Sequence, residues 1–264
     1  MPLTYGSYLQ LDRLLDLQRP ASDQPAHDEL LFIIAHQAYE LWFKQALHEI
    51  DLLQRQLGDG ELVQARSALR RIIAILRVLV QQVDVLETMT PVGFAEFRPA
   101  LGSASGFQSI QFRELEAVLG LKDPAALSRA AAAGAPIDRL EKRHRERSVW
   151  ESFVALLQAR GHRVDEAPPP TTLTDAPVPS SPWLAQLTAA LRADASCLEI
   201  AEQLLDVDGL LLRWRQRHVS MVARMIGNRP GTGGSPGVAY LETTLSHRCF
   251  PALWAIRGAL LDGR

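Results

Sequence analysis

The chain has 264 residues, of which 47% are hydrophobic and 22% are charged, and its formal net charge is −2. This composition excludes a disordered chain and fits one globular domain, 1–264, with a core large enough to enclose a cofactor. Basic and acidic residues are mixed along the chain, so nothing favours binding to nucleic acid or to an acidic membrane surface.

The N-terminus and the cysteines indicate the compartment. The first residues carry no basic segment followed by an apolar core, so they do not resemble a secretory signal. The only cysteines, Cys197 and Cys249, form no CxxC motif and are expected to be buried or idle thiols. No apolar run reaches the roughly 18 residues needed to cross a bilayer. We therefore expect a cytoplasmic protein without a membrane segment.

Apolar residues recur at helical spacing through most of the chain, and the alternation typical of strands is hard to find. The predicted fold is therefore all-α, with long antiparallel helices and a short N-terminal helical segment. The first long helix is predicted to have Asp28 as its N-cap and to end at Gly58 and Gly60. A second helix at 61–88 is apolar on several faces, so we expect it to form a buried antiparallel hairpin with the first.

Glycine and proline divide the rest of the chain. The segment 164–182 contains many prolines and is expected to be an irregular surface connection. The stretch 231–235 lacks P-loop spacing and follows no strand, so it does not predict a nucleotide site. Its glycines and Thr232 suit either a flexible loop or a loop that approaches a bound anion. Further helices are predicted at 94–101, 107–120, 196–226 and, as a closing pair, 238–261.

Two of the seven histidines lie on apolar helix faces. His36 has Phe32 and Glu40 one turn to either side, and His218 follows Trp214 by one turn. Taken alone, each is either a hydrogen-bonded core histidine or a functional group. An imidazole on such a face is also the kind of side chain that binds haem iron. Neither lies in an HxxxH or HxxE pattern, so structural zinc is a poor alternative.

Both ends and the middle of the chain contain distinctive stretches. In order, they are YGSYLQLDRLL, ELLFIIAHQAYELWFKQ, LETMTPVGFAEFRPALGSASGFQSIQFRELE, WRQRHVSMVARMIG and GTGGSPGV. In this order and spacing they closely resemble the tryptophan 2,3-dioxygenase family. The resemblance weakens only between about 124 and 182, where the chain looks shortened and rich in proline.

The resemblance implies a helical bundle that encloses one haem b per subunit, ferrous when active. It implies that L-tryptophan and O₂ are converted to N-formyl-L-kynurenine, the first step of tryptophan degradation by the kynurenine pathway. His218 matches the proximal haem ligand and is thus the metal-binding residue. Ser105 and Gly106 match the loop near the haem propionates. His36 matches the distal histidine, the catalytic residue that hydrogen-bonds the indole N–H.

The resemblance also implies the substrate-binding residues. Arg98 matches the guanidinium that grips the substrate carboxylate, and Thr232 matches the hydroxyl at the amino-acid end. Phe32 matches the aromatic wall beside the indole, while Phe94 and Leu101 match apolar lining positions. A guanidinium and a carboxylate form a two-pronged contact, so the residue type suits its implied role.

Tyr5 and Tyr8 match residues that reach into a neighbouring subunit's pocket, which implies a homotetramer with composite sites. Three other interpretations remain open. One is an oxygenase of the same fold that acts on another indole or aromatic amino acid in a biosynthetic pathway. The others are a haem sensor or storage protein without turnover, and a helical scaffold without a cofactor.

Overall fold

The structure, a computed structural model, describes residues 2–165, 182–232 and 236–261. Within these ranges all regular secondary structure is helical, which confirms the predicted all-α class. The chain begins with α1 (Tyr5–Leu9), α2 (Leu11–Leu14), α3 (His27–Gly58) and α4 (Leu62–Leu86). Next come α5 (Pro91–Phe97), α6 (Ile110–Leu119), α7 (Pro124–Ala132), α8 (Asp138–Arg145) and α9 (Val149–Ala159). The last are α10 (Pro182–Ala193), α11 (Ala195–Ile226), α12 (Val238–Thr243), α13 (Pro251–Ala255) and α14 (Arg257–Leu261).

The helices α3 and α4 form the predicted antiparallel hairpin. In the first half of α3, the Tyr39 hydroxyl donates a hydrogen bond to the Leu79 carbonyl in the second half of α4, at 3.0 Å. In the second half of α3, a Glu49 carboxylate oxygen lies 3.1 Å from a guanidinium nitrogen of Arg71, in the first half of α4. Each half of α3 therefore contacts the opposite half of α4, so the two helices are antiparallel.

The helix α11 packs against α4 in the parallel direction. Glu199 near the start of α11 pairs with Arg66 near the start of α4, and Arg217 near the end of α11 pairs with Glu87 just after α4. The helix α4 thus contacts both other long helices, and 10 of its residues are buried. The prediction that α4 is buried on several faces is therefore confirmed, because α3 and α11 both pack against it. Each fully buried aliphatic side chain contributes about 1.5 to 3 kcal/mol, so this packing stabilises the core of the molecule.

Two long helices begin where local capping chemistry differs from the prediction. The helix α3 begins at His27 and its N-cap residue is Ala26, so the predicted N-cap at Asp28 is wrong. Asp28 lies in the first turn, where a carboxylate still interacts favourably with the positive end of the helix dipole. The helix α11 begins at Ala195, one residue before the predicted start, because the Asp194 carboxylate accepts hydrogen bonds from backbone N–H groups of the first turn.

The central and C-terminal regions contain more and shorter helices than the sequence pattern indicates. The stretch 94–101 is helical as predicted, but it divides into α5 and the 3₁₀ helix Arg98–Leu101. The helix predicted at 107–120 divides into the 3₁₀ helix Gly106–Gln108 and α6. The closing pair predicted at 238–261 is instead α12, the 3₁₀ helix Thr244–Ser246, α13 and α14. Pro251 is the first residue of α13, a position where the missing N–H of proline costs no hydrogen bond within the helix.

The predicted connection at 164–182 lies largely outside the described residues, since 166–181 are not described. Its last residue, Pro182, begins α10 and so is not part of an irregular loop. The two cysteines are buried, as predicted. Across the described ranges, no helix is both long enough and apolar enough to cross a membrane.

Candidate active site

One cavity is lined by residues of α3, α5, α6 and α11 and by the chain segments that follow α5 and α11. All the predicted site residues except Tyr5 and Tyr8 line it. These residues are Phe32, His36, Phe94, Arg98, Leu101, Ser105, Gly106, His218 and Thr232. The fold therefore brings together side chains that are widely separated in the sequence.

His218 lies on α11 and faces this cavity. Its ring stacks on Trp214, with 5.2 Å between centroids and 4° between planes, and Phe112 lies 4.9 Å beyond Trp214. The imidazole forms no hydrogen bond with any described residue. Burial and, to a smaller extent, the proximity of His36 together lower the pKa of His218 to about 4. His218 is therefore neutral at physiological pH and keeps a nitrogen lone pair available for a metal.

His36 lies on α3, and its tautomer is set by its own helix. The Nδ1 atom lies 2.7 Å from the Phe32 carbonyl oxygen, which can only accept, so Nδ1 carries the hydrogen. Burial lowers the pKa of His36, although the Phe32 carbonyl and the Glu40 carboxylate oppose this shift. In the neutral ring, Nε2 is then an unprotonated acceptor. His36 can thus accept a hydrogen bond from an N–H group of a ligand.

Phe32 and Phe94 form an aromatic wall beside His36 and pack against the buried Phe97. The Phe32 ring lies 4.0 Å from the His36 ring, 6.1 Å from Phe94 and 5.4 Å from Phe97. Phe94 and Phe97 meet edge to face at 5.3 Å. These centroid distances and angles are typical of favourable aromatic pairs. The wall suits a flat, apolar ligand ring.

Two hydrogen bonds join the segment after α5 to the segment after α11. An Arg98 guanidinium N–H donates to the Pro230 carbonyl at 2.6 Å, and the Thr232 hydroxyl donates to the Ala104 carbonyl at 2.6 Å. Arg98 makes no other hydrogen bond with a described residue. Its remaining N–H groups can therefore bind a carboxylate in the cavity.

The residues present fit a flat cofactor with one axial nitrogen ligand. His218 is neutral, half-buried on the cavity wall and without a hydrogen-bond partner among the described residues, which suits a haem ligand. The cavity wall near it is aromatic. A Cβ added to Gly106 would meet no described atom within 4 Å beyond its chain neighbours. Protein packing alone therefore does not require glycine there, and the space beside it is open.

Comparison with known proteins identifies the family. The family description "Tryptophan 2,3-dioxygenase" matches residues 1–163 and 192–260. A tryptophan 2,3-dioxygenase of Herpetosiphon aurantiacus is 49% identical over 98% of this chain and 98% of its own length. The tryptophan 2,3-dioxygenases of Anaeromyxobacter sp. strain K and Nocardioides sp. are each 47% identical over 98% of this chain. The match covers 96% of the Anaeromyxobacter protein and 95% of the Nocardioides protein. The chain belongs to the tryptophan 2,3-dioxygenase family.

The family match also narrows the region of weak resemblance. The family match extends through residue 163 and resumes at 192. The unmatched region is therefore 164–191, and not the whole of 124–182. The three relatives are covered almost to their full lengths, so the chain is not shortened relative to them. The helices α7, α8 and α9 therefore belong to the part that the family shares.

An ion-paired chain of three cavity residues was not predicted. Glu116 lies between two guanidinium groups, at 2.6 Å from Arg113 and 2.8 Å from Arg215. All three residues line the cavity, and Arg215 and Glu116 are buried. Arg113 and Glu116 are one helical turn apart, which the sequence could have shown. Nothing in the sequence indicates that Arg215, on α11, joins them.

Tyr5 and Tyr8 lie outside the cavity. They are on α1, and their side chains are 77% and 69% exposed. No residue of α1 is buried. Within one subunit these tyrosines therefore have no contact with the cavity, and their role in a neighbouring subunit stays a prediction.

Proposed function

We propose that this protein is a haem-dependent dioxygenase that converts L-tryptophan and O₂ to N-formyl-L-kynurenine, the first step of tryptophan degradation by the kynurenine pathway. One observation carries the proposal in addition to the family. His218, His36 and Arg98, from three separate parts of the chain, line the same cavity. They supply a metal ligand, an acceptor for an indole N–H and a cation for an amino-acid carboxylate.

The proposed cofactor is one haem b per subunit, ferrous when active, held by the neutral imidazole of His218. When bound, the haem would supply the oxygen chemistry. Arg113 supports this assignment because it is a cation on the cavity wall, where it can pair with a propionate. Ser105 and Gly106 line the same cavity and are the proposed neighbours of the propionates.

The proposed substrate contacts use the groups that the cavity offers. Arg98 has N–H groups left over to hold the tryptophan carboxylate as a planar fork. Thr232 contacts the amino-acid end, while Phe32, Phe94 and Leu101 enclose the indole ring. Such groups act mainly by holding the reactants in a fixed orientation.

His36 is proposed to orient the indole by accepting its N–H at Nε2. Because an indole N–H is a very weak acid, His36 need not remove the proton. The Phe32 carbonyl holds Nδ1–H, so the ring presents the same acceptor whenever it is neutral. The rings packed around His36 are apolar, and an apolar environment strengthens such a hydrogen bond.

We further propose a cytoplasmic homotetramer in which Tyr5 and Tyr8 complete a neighbour's site. Tyr5 and Tyr8 on α1 are exposed together with Leu3, Leu9 and Leu15. This supports the arrangement, because a group of exposed apolar side chains is typical of an interaction surface. The proposal also takes 1–264 as a single domain.

Product analysis tests this function. The haem-loaded, reduced protein is mixed with L-tryptophan and ¹⁸O₂, and the products are identified by mass spectrometry. N-formyl-L-kynurenine with both labelled atoms is expected, and His218→Ala should give none. A singly labelled, hydroxylated indole would favour the biosynthetic alternative. Absence of turnover in a protein that retains haem would favour a sensor or storage protein.

A further inference from the structure

A second pocket lies on the other side of α6 from the active-site cavity. Its walls come from α3, α6, α8 and the segment that leads into α9. We call it the arginine pocket, and its principal residues are Asp51, Arg55, Glu114, Arg139, Arg143 and Arg147. On α6, Glu114 faces this pocket, whereas its neighbours Arg113 and Glu116 face the cavity. The proposed dioxygenase reaction does not use any of the six.

The floor of the arginine pocket is an electrically balanced ion-pair network. Arg143 binds both carboxylate oxygens of Asp51, at 2.6 and 3.1 Å. Glu114, whose side chain is only 1% exposed, lies 3.0 Å from Arg139 and 3.7 Å from Arg143. Two guanidinium groups therefore match two carboxylates. A two-pronged pair of this kind fixes the side-chain geometry.

The rim of the arginine pocket is not balanced. Arg55 on α3 and Arg147 before α9 are exposed, and neither side chain pairs with a described residue. The remaining rim charges, Lys142 and Glu146, pair with each other at 3.5 Å. The described lining thus has an excess of two positive charges. Those two charges belong to Arg55 and Arg147.

The backbone that carries these two arginines is held in place. The Gln54 side chain, next to Arg55, donates a hydrogen bond to the Arg147 carbonyl at 2.6 Å. This bond joins α3, at the residue next to Arg55, to the backbone of Arg147 in the segment before α9. A fixed backbone lowers the entropic cost of bringing the two side chains to one ligand.

We propose that the arginine pocket binds a small dianionic oxyanion, with a phosphate group as the ligand chemistry. Arg55 and Arg147 would each offer planar N–H donors to the phosphate oxygens, and the ligand's two negative charges would match the excess positive charge. The pocket is concave and its floor is already paired, so the ligand binds at the rim. This site is independent of the active-site cavity.

The test uses inorganic phosphate and the haem-loaded protein saturated with L-tryptophan, so that the active-site arginine is occupied. Binding is measured by isothermal titration calorimetry at constant ionic strength, with chloride as the reference anion. The pocket variant is Arg55→Gln/Arg147→Gln. The control variant is Arg77→Gln/Arg213→Gln, which removes the same charge from two exposed arginines that do not line the pocket.

We expect saturable binding of one phosphate per chain in the wild type and the control, and at least tenfold weaker binding in the pocket variant. Haem content and far-ultraviolet circular dichroism check that both variants fold. Equal weakening in the two variants would show a general charge effect and overturn the proposal. A wild-type protein that binds phosphate no more tightly than chloride would also overturn the proposal. Neither result would affect the proposed dioxygenase function.

Discussion

His218 is the residue on which the cofactor assignment depends. Its imidazole is half-buried, neutral and stacked on Trp214, and among the described residues it has no hydrogen-bond partner. We predict that His218→Ala loses most of its haem, because the protein's only proposed bond to the iron is removed. The Soret absorbance of the purified variant, relative to its protein concentration, measures this. A normal five-coordinate ferrous spectrum in His218→Ala would contradict the assignment.

The burial of His218 also predicts how the stability of the haem-free protein depends on pH. The folded-state pKa of about 4 lies below the ordinary value of 6.5, so between these values the unfolded chain binds the proton and the folded chain does not. The effect of His218 on the free energy of unfolding is therefore constant above pH 6.5. As the pH is lowered from 6.5 toward 4, this effect lowers the free energy of unfolding. The slope from this one group approaches about 1.4 kcal/mol per pH unit.

Urea unfolding of the apoprotein at several pH values between 7 and about 4 measures this effect. Carboxylates with lowered pKa values, such as Asp194, also lose stabilising interactions in acid. The comparison with His218→Gln, which cannot titrate, isolates the histidine. We expect a shallower fall in the free energy of unfolding for the variant. Parallel curves for the two proteins would show that His218 is not buried as a neutral imidazole.

His36 should behave differently from His218. We predict that His36→Ala keeps its haem and loses only part of its activity, because a single orienting hydrogen bond contributes about 0.5 to 1.5 kcal/mol. Haem content and kcat/KM for L-tryptophan are measured on the same preparation. If the haem is lost instead, the roles of the two histidines have been exchanged.

At the residue scale, the sequence shows neighbours on a helix but not partners across the fold. The spacing of Phe32 and His36 places both on one face of α3, and the structure brings their rings to 4.0 Å. No local pattern could have shown that Arg215 pairs with Glu116, 99 positions away. The same holds for the Arg98 contact with Pro230, because it depends on where two distant segments meet.

At the scale of elements, long periodic helices could be predicted and short ones could not. The helices α3, α4 and α11 lie close to their predicted ranges because each has several turns of apolar periodicity. The short helices α7 and α8 have few turns, and glycine and proline around 134–136 interrupt their pattern. Helix ends depend on individual caps. Asp194 caps α11, so the helix begins one residue before the predicted start.

The helix α1 gives a prediction about a whole element. Because α1 buries no residue in its own subunit, removing residues 1 to 9 should leave haem content and helical circular dichroism nearly unchanged. Turnover and affinity for L-tryptophan should fall, because Tyr5 and Tyr8 are proposed to complete a neighbour's site. The variant Tyr5→Ala/Tyr8→Ala should reproduce the loss without shortening the chain. Wild-type kinetics from both proteins would rule out composite sites.

At the scale of the whole molecule, the site exists only because distant regions converge. Its residues extend from position 32 to position 232, and they come from α3, α5, α11 and two connecting segments. Sequence pattern predicts that the helices form, but not how they cross. The placement of site residues in one cavity was reachable beforehand only through resemblance to a family. The arginine pocket could not be predicted from the sequence, because its charged residues come from four separate elements.

The central claim is that one cavity holds an amino acid by its carboxylate and its indole ring together, and Arg98→Lys tests it most directly. Lysine keeps the charge but not the planar two-pronged contact. Titration of the ferrous Soret band with L-tryptophan should show at least tenfold weaker binding in the variant, which corresponds to about 1.4 kcal/mol. Titration with indole, which lacks the carboxylate, should show nearly the same affinity in both proteins. Equal losses for the two ligands, or no loss for L-tryptophan, would contradict the account.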